Sequence, residues 1–127
     1  MMNNAAPGFA THEGYKFDIT RSQKHIRVFA GDSCLAETTN ALELSENTYS
    51  TVYYIPQSDV RMDLLKKTDH SSYCPFKGDA SYWTLNVEGA HPEGIAWAYE
   101  IPFDESLQIK GHLAFYGDRV DEILIEN

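Results

Sequence analysis

The stretch ASYWTLNVEG, residues 80–89, alternates between apolar and polar side chains along most of its length. Trp83, Leu85 and Val87 fall on one face and Tyr82 on the other, which is the period of two that is typical of a half-buried β-strand. Because this is the clearest periodic segment of the chain, it predicts a fold that is built on sheets.

The next apolar segment, IAWAYEI at residues 95–101, follows the turn GAHPEG and alternates in the same way. Its large side chains, Ile95, Trp97 and Tyr99, share one face. Two alternating segments joined by a turn predict an antiparallel hairpin in which the apolar faces coincide. The predicted pairs are Val87 with Ile95, Leu85 with Trp97 and Trp83 with Tyr99.

A Gly-Asp pair predicts a second hairpin, because glycine accepts the positive φ of a two-residue loop. KHIRVFA (24–30) and SCLAET (33–38) flank Gly31 and Asp32. The predicted pairs are Val28 with Leu35 and Phe29 with Cys34.

The same Gly-Asp signal recurs near the end of the sequence and predicts a third hairpin. HLAFY (112–116) and RVDEILIE (119–126) flank Gly117 and Asp118. The predicted pairs are Phe115 with Val120 and Tyr116 with Arg119, so that Tyr116, Arg119 and Asp121 share a face.

Between these hairpins the sequence predicts one more strand and one helix. TVYYI (51–55) is β-branched and aromatic and ends before a proline, as strands do. QSDVRMDLLKK (57–67) predicts a short helix with Ser58 or Asp59 as its N-cap. The segment DESLQI (104–109) adds a single helical turn.

Six or seven antiparallel strands and one short helix predict a mostly-β fold, a compact antiparallel sheet assembly that curls around aromatic side chains. Eight Tyr, six Phe and two Trp supply these side chains. The length of 127 residues fits one domain. Residues 1–14 lack periodicity and are predicted to form a flexible N-terminal arm, followed by a single domain at 15–127.

The charge balance excludes several classes of partner. Ten basic residues against nineteen acidic ones give a net charge of -9, which repels nucleic acid and anionic membranes.

The sequence has no apolar run of roughly 18 residues and no secretory signal at its start, which predicts a cytoplasmic protein without a membrane partner. Two cysteines are too few for a zinc site of four thiolates.

The stretch SSYCPFKGDASYW, residues 71–83, predicts a rigid turn that carries two reactive groups. Pro75 forces Cys74 into an extended conformation, and Gly78 permits positive φ before the next strand. A nearby Lys77 ammonium would favour the thiolate form that nucleophilic cysteines need. The alternative is a Cys that packs the turn and a Lys that is solvated or paired with an acid, and no CxxC or GxSxG motif favours catalysis.

Other motifs with known chemistry are weak or missing. Arg61 could clamp a carboxylate or a phosphate, or pair with the neighbouring Asp63 on the surface. Asp69, His70 and Cys74 are metal-ligand types, but no HxH or HExxH spacing accompanies them, so no metal site is predicted. The phosphate-binding patterns GxxxxGK[ST] and GxGxxG do not occur.

A family resemblance extends from about residue 24 to residue 122. The residues that carry it read VYYIPQSDVRMDLLKKTDHSSYCPFKGDASYWTLNV, then AWAYEIP and GHLAFYGDRVDE. The chain resembles the DUF427 family, small single-domain proteins of unknown function found mainly in bacteria. The resemblance implies a β-tent-like fold without zinc. Some classifications give this family a nucleotidyltransferase-like label, but this chain lacks the paired-aspartate and Gly-Ser signature of such enzymes.

The resemblance also indicates candidate site residues. Folding alone does not require Arg61, Cys74, Lys77 or Arg119 to be those residue types. If they converged with aromatic neighbours, they would form a cationic, aromatic-walled pocket for a small anionic or planar metabolite. The predicted ligand-binding residues are Arg61, Asp63, Tyr73, Trp97, Tyr116 and Arg119.

Two alternatives stay open at this stage. The chain could be an enzyme in which Lys77 activates Cys74 as the nucleophile, including a nucleotidyltransferase-like one, or a protein-interaction module that uses a sheet edge. No motif specifies a cofactor or an oligomeric state.

Overall fold

The computed structural model describes residues 4–11, 16–46, 51–86 and 94–127, and most of them lie in antiparallel strands. The ten strands in these ranges are β1 (Phe17–Arg21), β2 (His25–Ala30), β3 (Ser33–Thr38), β4 (Leu42–Glu46), β5 (Val52–Pro56), β6 (Leu65–Cys74), β7 (Gly78–Leu85), β8 (Ala96–Tyr99), β9 (His112–Phe115) and β10 (Glu122–Glu126). The helical segments are α1 (Gly8–Thr11) and three 3-10 segments, Gln57–Asp59, Met62–Leu64 and Asp104–Ile109. Within the described residues, no helix has the length and apolar character to cross a membrane. The prediction of a mostly-β, antiparallel fold is confirmed.

The strands form two sheets. The larger sheet has the order β1-β4-β5-β9-β8-β7-β6, and the smaller sheet has the order β10-β2-β3. The smaller sheet packs on one face of the larger one. Their shared core includes Ile26 and Leu35 from the smaller sheet and Trp83, Ala96 and Leu113 from the larger.

The opposite face of the larger sheet is also buried, because this sheet curls on itself. Leu44 of β4 and Ala80 of β7 belong to one apolar cluster, although three strands separate β4 from β7 in the sheet. The other buried members of this second cluster are Leu42, Tyr54, Tyr99, Ile109 and Ala114. Both faces of the central strands are therefore covered.

A buried ion pair joins the two flanks of the curled sheet. The Lys77 ammonium, in the turn between β6 and β7, donates a hydrogen bond to the Glu46 carboxylate at the end of β4. The two side chains are 9% and 17% exposed, and the ammonium lies 5.7 Å from the centre of the Phe17 ring in β1. Because separation would leave each charge in apolar surroundings, this pair resists opening of the sheet.

The N-terminal segment packs against the same turn. Gly8 N donates to Pro75 O at 2.9 Å, and the Phe9 ring lies between Phe76 and Phe17, with ring centres 5.2 and 5.8 Å away. A Cβ atom on Gly8 would come within 2.7 Å of the Phe76 ring, so this close approach requires glycine.

The β2–β3 hairpin around Gly31 is confirmed, with one shift of register. Phe29 pairs with Cys34 as predicted, but Val28 pairs with Ala36 because a bulge leaves Leu35 between the two pairs. The bulge allows Leu35 and Ala36 to be buried together, whereas strict alternation would place them on opposite faces.

The β7–β8 hairpin is confirmed, but its predicted register is wrong. Trp83 pairs with Ala96, and Tyr82 pairs with Trp97. This arrangement replaces the predicted pairs Trp83–Tyr99 and Leu85–Trp97, and the predicted pair Val87–Ile95 includes a residue that lies outside the described ranges.

The register differs because both faces of this sheet are buried. The prediction assumed that the large apolar side chains of both strands share one face. Instead, Ala96 and Ala98 line the core that contains Trp83, while Trp97 and Tyr99 belong to the second cluster. Two covered faces remove the apolar-polar contrast that specifies register in a half-exposed sheet.

The helix predicted for residues 57–67 is also wrong. Two separate 3-10 segments, Gln57–Asp59 and Met62–Leu64, take the place of the helix, and β6 begins at Leu65. The residues between the two 3-10 segments are hydrogen-bonded to β3, because Arg61 N donates to Leu35 O at 2.7 Å. Asp59 does not cap a helix but accepts a hydrogen bond from the Thr38 hydroxyl at 2.7 Å. The turn predicted at 104–109 is confirmed.

The hairpin predicted around Gly117 and Asp118 does not form. Strand β9 lies between β5 and β8, so neither of its edges is free to accept β10. Strand β10 pairs instead with β2 in the smaller sheet. Residues 116–121 therefore cross from one sheet to the other.

We expect the substitution Lys77→Ala to lower the free energy of unfolding by about 3 kcal/mol, because it leaves the Glu46 carboxylate buried without its ammonium partner. Denaturant unfolding measures this change. The exposed Lys66→Ala serves as the matched control and should change stability by less than about 0.5 kcal/mol. The double substitution Lys77→Met with Glu46→Leu should recover most of the loss. Equal stabilities of the two single variants would contradict the assignment.

Candidate functional site

The larger sheet opens between β5 and β9. Two residue pairs join these strands, and the inner pair is Ile55 with Leu113. Among the described residues no pair follows it, although the register would next place Tyr54 opposite Ala114 and then join Tyr53 to Phe115 as the next hydrogen-bonded rung. The two strands therefore diverge at this point and leave an opening in the sheet.

A cavity of about 260 Å³ occupies this opening, and we refer to it as the cleft. Tyr53 and Phe115 line it from the two separated strands, and Trp97 lines it from β8. The smaller sheet closes it with apolar side chains that include Ile26 and Ile123. The cleft is thus mainly apolar, with aromatic rings on two sides.

Three of the predicted ligand-binding residues stack beside the cleft. The ring centres of Trp97 and Tyr116 are 4.4 Å apart, and the Arg119 guanidinium lies 4.3 Å from the centre of the Tyr116 ring. Arg119 Nη1 also donates to Gly94 O at 3.1 Å, which fixes the guanidinium over the ring. A cation stacked on an aromatic ring lowers the electron density of that ring.

The hydroxyl of Tyr116 belongs to a polar network on the second face of the sheet. Burial raises the pKa of Tyr116 to about 12, and the charge and hydrogen bond of Tyr82 add to this effect. The Tyr82 hydroxyl is in turn 2.7 Å from the Ser72 hydroxyl, and the His70 ring lies 4.6 Å from the Tyr82 ring. Strand β6, which carries Ser72 and His70, therefore helps to hold Tyr116 in place.

The opposite wall of the cleft also has a cation beside it. Lys24 Nζ donates to the Tyr53 hydroxyl at 3.1 Å and lies 5.5 Å from the ring centre. This hydrogen bond raises the pKa of the Lys24 ammonium. Glu43, 3.5 Å from Lys24 Nζ, offsets part of the positive charge on this side.

The predicted residues Arg61 and Asp63 form a separate pair on the surface. Arg61 Nε and Nη2 donate to the two Asp63 carboxylate oxygens at 3.0 and 2.8 Å. The side chains are 59% and 63% exposed, and the hydrogen bonds from Arg61 hold the pKa of Asp63 below its usual range. Their predicted role in ligand binding stays a prediction.

The other predicted residues lie around the turn between β6 and β7. Tyr73 is exposed, with its ring 6.3 Å from Phe103. Cys74 is half-buried against the second cluster. Burial raises the pKa of both Tyr54 and Tyr99, and the charge of a Cys74 thiolate adds to it, so the thiol lies near these phenols.

Lys77 is held in the ion pair with Glu46, and its backbone N–H donates to Cys74 O at 3.3 Å within the turn. The catalytic roles of Cys74 and Lys77 stay a prediction. Across the residues that the structure describes, no group of three or more His, Cys, Asp or Glu side chains is arranged to hold a metal ion.

Sequence reasoning missed the residues that form the cleft itself. Tyr53, Ile26 and Ile123 carry no motif, and their alternation assigns them to a sheet core. The weak signal was the doublet Tyr53-Tyr54, because it places an aromatic ring on each face of β5.

The sequence model of one protein family, described as a domain of unknown function (DUF427), matches residues 18–126. The comparison with curated proteins gives no match.

Tyr116 should make the unfolding of the protein more sensitive to alkaline pH. Its folded pKa of about 12 lies above the ordinary value of 10.0, so the neutral form is favoured by folding. The stability that it contributes is complete below pH 10 and is lost as pH rises toward 12. Between pH 9 and pH 12, the midpoint temperature of thermal unfolding should therefore fall more steeply for the wild type than for Tyr116→Phe. Identical slopes in the two proteins would contradict the raised pKa of this hydroxyl.

Proposed function

Because the chain belongs to the DUF427 family, whose function is unknown, we propose its function from the site: the protein binds a small planar metabolite in the cleft between β5 and β9. The observation that carries the proposal is an apolar cavity lined by Trp97, whose ring contacts the Tyr116 ring and, beyond it, the Arg119 guanidinium. Flat aromatic walls with a few polar groups are typical of sites for small molecules.

The size of the cleft limits the ligand to one or two rings. Its volume is about 260 Å³, whereas an apolar cavity of about 150 Å³ is enough to bind benzene. Pockets for drug-sized molecules begin at roughly 300 Å³. A fused two-ring molecule therefore fits the cleft, and a much larger one does not.

Two cations near the cleft favour an electron-rich or anionic ligand. The Arg119 guanidinium lies over the Tyr116 ring, which contacts the cleft residue Trp97. The Lys24 ammonium donates a hydrogen bond to the hydroxyl of the cleft residue Tyr53. Positive charge at these two positions attracts electron-rich groups of a ligand. Since Glu43 offsets Lys24, the attraction is stronger on the Arg119 side.

Fluorescence titration with 2-naphthoate, a planar two-ring anion, tests the proposal. We expect the wild type to bind this probe. The substitution Ile123→Trp fills the cleft and should weaken binding at least about tenfold, which corresponds to a loss of about 1.4 kcal/mol of binding free energy. Trp97→Ala should weaken binding to a similar degree because it removes one wall.

Arg61→Ala is the matched control, because Arg61 is a cation outside the cleft. The affinity of this variant for 2-naphthoate should stay within about twofold of that of the wild type. Circular dichroism melts identify any variant that has lost its fold. Failure of the wild type to bind either 2-naphthoate or an uncharged planar two-ring probe, or an equal loss of affinity in Arg61→Ala and Ile123→Trp, would place the function elsewhere.

A further inference from the structure

We infer that the ligand of the cleft carries a hydrogen-bond donor next to an acceptor, as in a cyclic amide, and that this edge takes the place of the missing rung between Tyr53 and Phe115. The inference rests on the proposed function and specifies the chemical class of its ligand. It follows from the direction of the backbone groups in the two strands that separate.

The hydrogen bonds of β5 show which of its residues face β9. Gln57 N donates to Gly111 O at 2.9 Å, just beyond the last pairs of the ladder. Backbone groups alternate between the two edges of a strand, so Ile55 and Tyr53 face the same edge as Gln57. The N–H and C=O groups of Tyr53 therefore face the opening.

The other strand shows the complementary alternation. Tyr116 N donates to Ile95 O at 2.9 Å, which turns the backbone of Tyr116 toward the β8 side of β9. Phe115, one position earlier, faces the opposite edge, toward β5. Its N–H and C=O groups thus face the same opening as those of Tyr53.

Each separated strand presents one donor and one acceptor to the cleft. In a closed ladder Tyr53 and Phe115 would exchange two hydrogen bonds, and here the strands have separated before this rung. Both residues line the cavity, so a ligand in it would cover their backbone groups. Backbone groups that are removed from water need hydrogen-bond partners.

This requirement selects among planar ligands. A hydrocarbon ring satisfies neither group, and a carboxylate accepts from the N–H but faces the carbonyl oxygen with another negative charge. A cyclic amide has its N–H and C=O side by side on one edge, as a strand residue does. It can therefore donate to the carbonyl and accept from the N–H of the same residue.

Matched two-ring probes test this inference on the full chain. The probe 2-quinolone has the cyclic amide edge, N-methyl-2-quinolone lacks the donor, and naphthalene lacks both groups. We expect 2-quinolone to bind at least about tenfold more tightly than either of the others, with the amide resonances of Tyr53 and Phe115 shifted on binding. The affinity for 2-naphthoate should be lower than that for 2-quinolone.

The outcomes separate this inference from the proposal on which it rests. If naphthalene or N-methyl-2-quinolone binds as tightly as 2-quinolone, or if the two amide resonances do not move, the cyclic amide edge is refuted while a planar-ligand cleft stands. If none of the four probes binds, or if Ile123→Trp binds them as well as the wild type, the cleft is not the site and both proposals fail.

Discussion

The ion pair between Lys77 and Glu46 is the contact on which the curled shape of the larger sheet depends. It lies where β4 and the turn between β6 and β7 meet, and it is dry enough that breaking it would expose a charge to apolar surroundings. Around it, the aromatic rings of Tyr54 and Tyr99 fill the space that the curl encloses. Within this curled sheet the ladder between β5 and β9 ends at Ile55 and Leu113, and the cleft lies at that end.

Local chemistry made part of this fold predictable. The strand at 80–89, the hairpin at Gly31 and the mostly-β class depend on alternation and turn residues that lie next to each other in the sequence. Register and sheet assignment depend on distant parts of the chain. Trp83 faces alanines because the smaller sheet already fills that side of the core, and no feature of residues 80–101 reveals the smaller sheet. The segment 57–67 looks helical by itself, but its ties to β3 keep it from forming a helix.

In the candidate site, too, contacts between residues close in sequence could be predicted, and contacts between distant residues could not. Tyr116 and Arg119 are three positions apart and meet in the structure, even though the hairpin that was expected to join them does not form. Trp97 contacts Tyr116 because β8 and β9 are neighbouring strands, and this adjacency could not be predicted from the sequence. Arg61 has a local acid as its partner, and Lys77 has a distant one. A family resemblance marks such residues without separating those that bind a ligand from those that hold the fold, and only their partners make that distinction.

The open rung between β5 and β9 differs from an ordinary packing defect in what surrounds it. Stability alone would favour closing the ladder at Tyr53 and Phe115, since two hydrogen bonds and tighter packing would be gained. Instead this rung is open, and Trp97 and Tyr53 line the gap. Lys24 is hydrogen-bonded to the Tyr53 hydroxyl, and Arg119 lies over Tyr116, whose ring contacts Trp97. Tyr116 is further held by a hydrogen-bonded network that reaches β6. These supports around an open space are the basis of our proposal that a small molecule enters it.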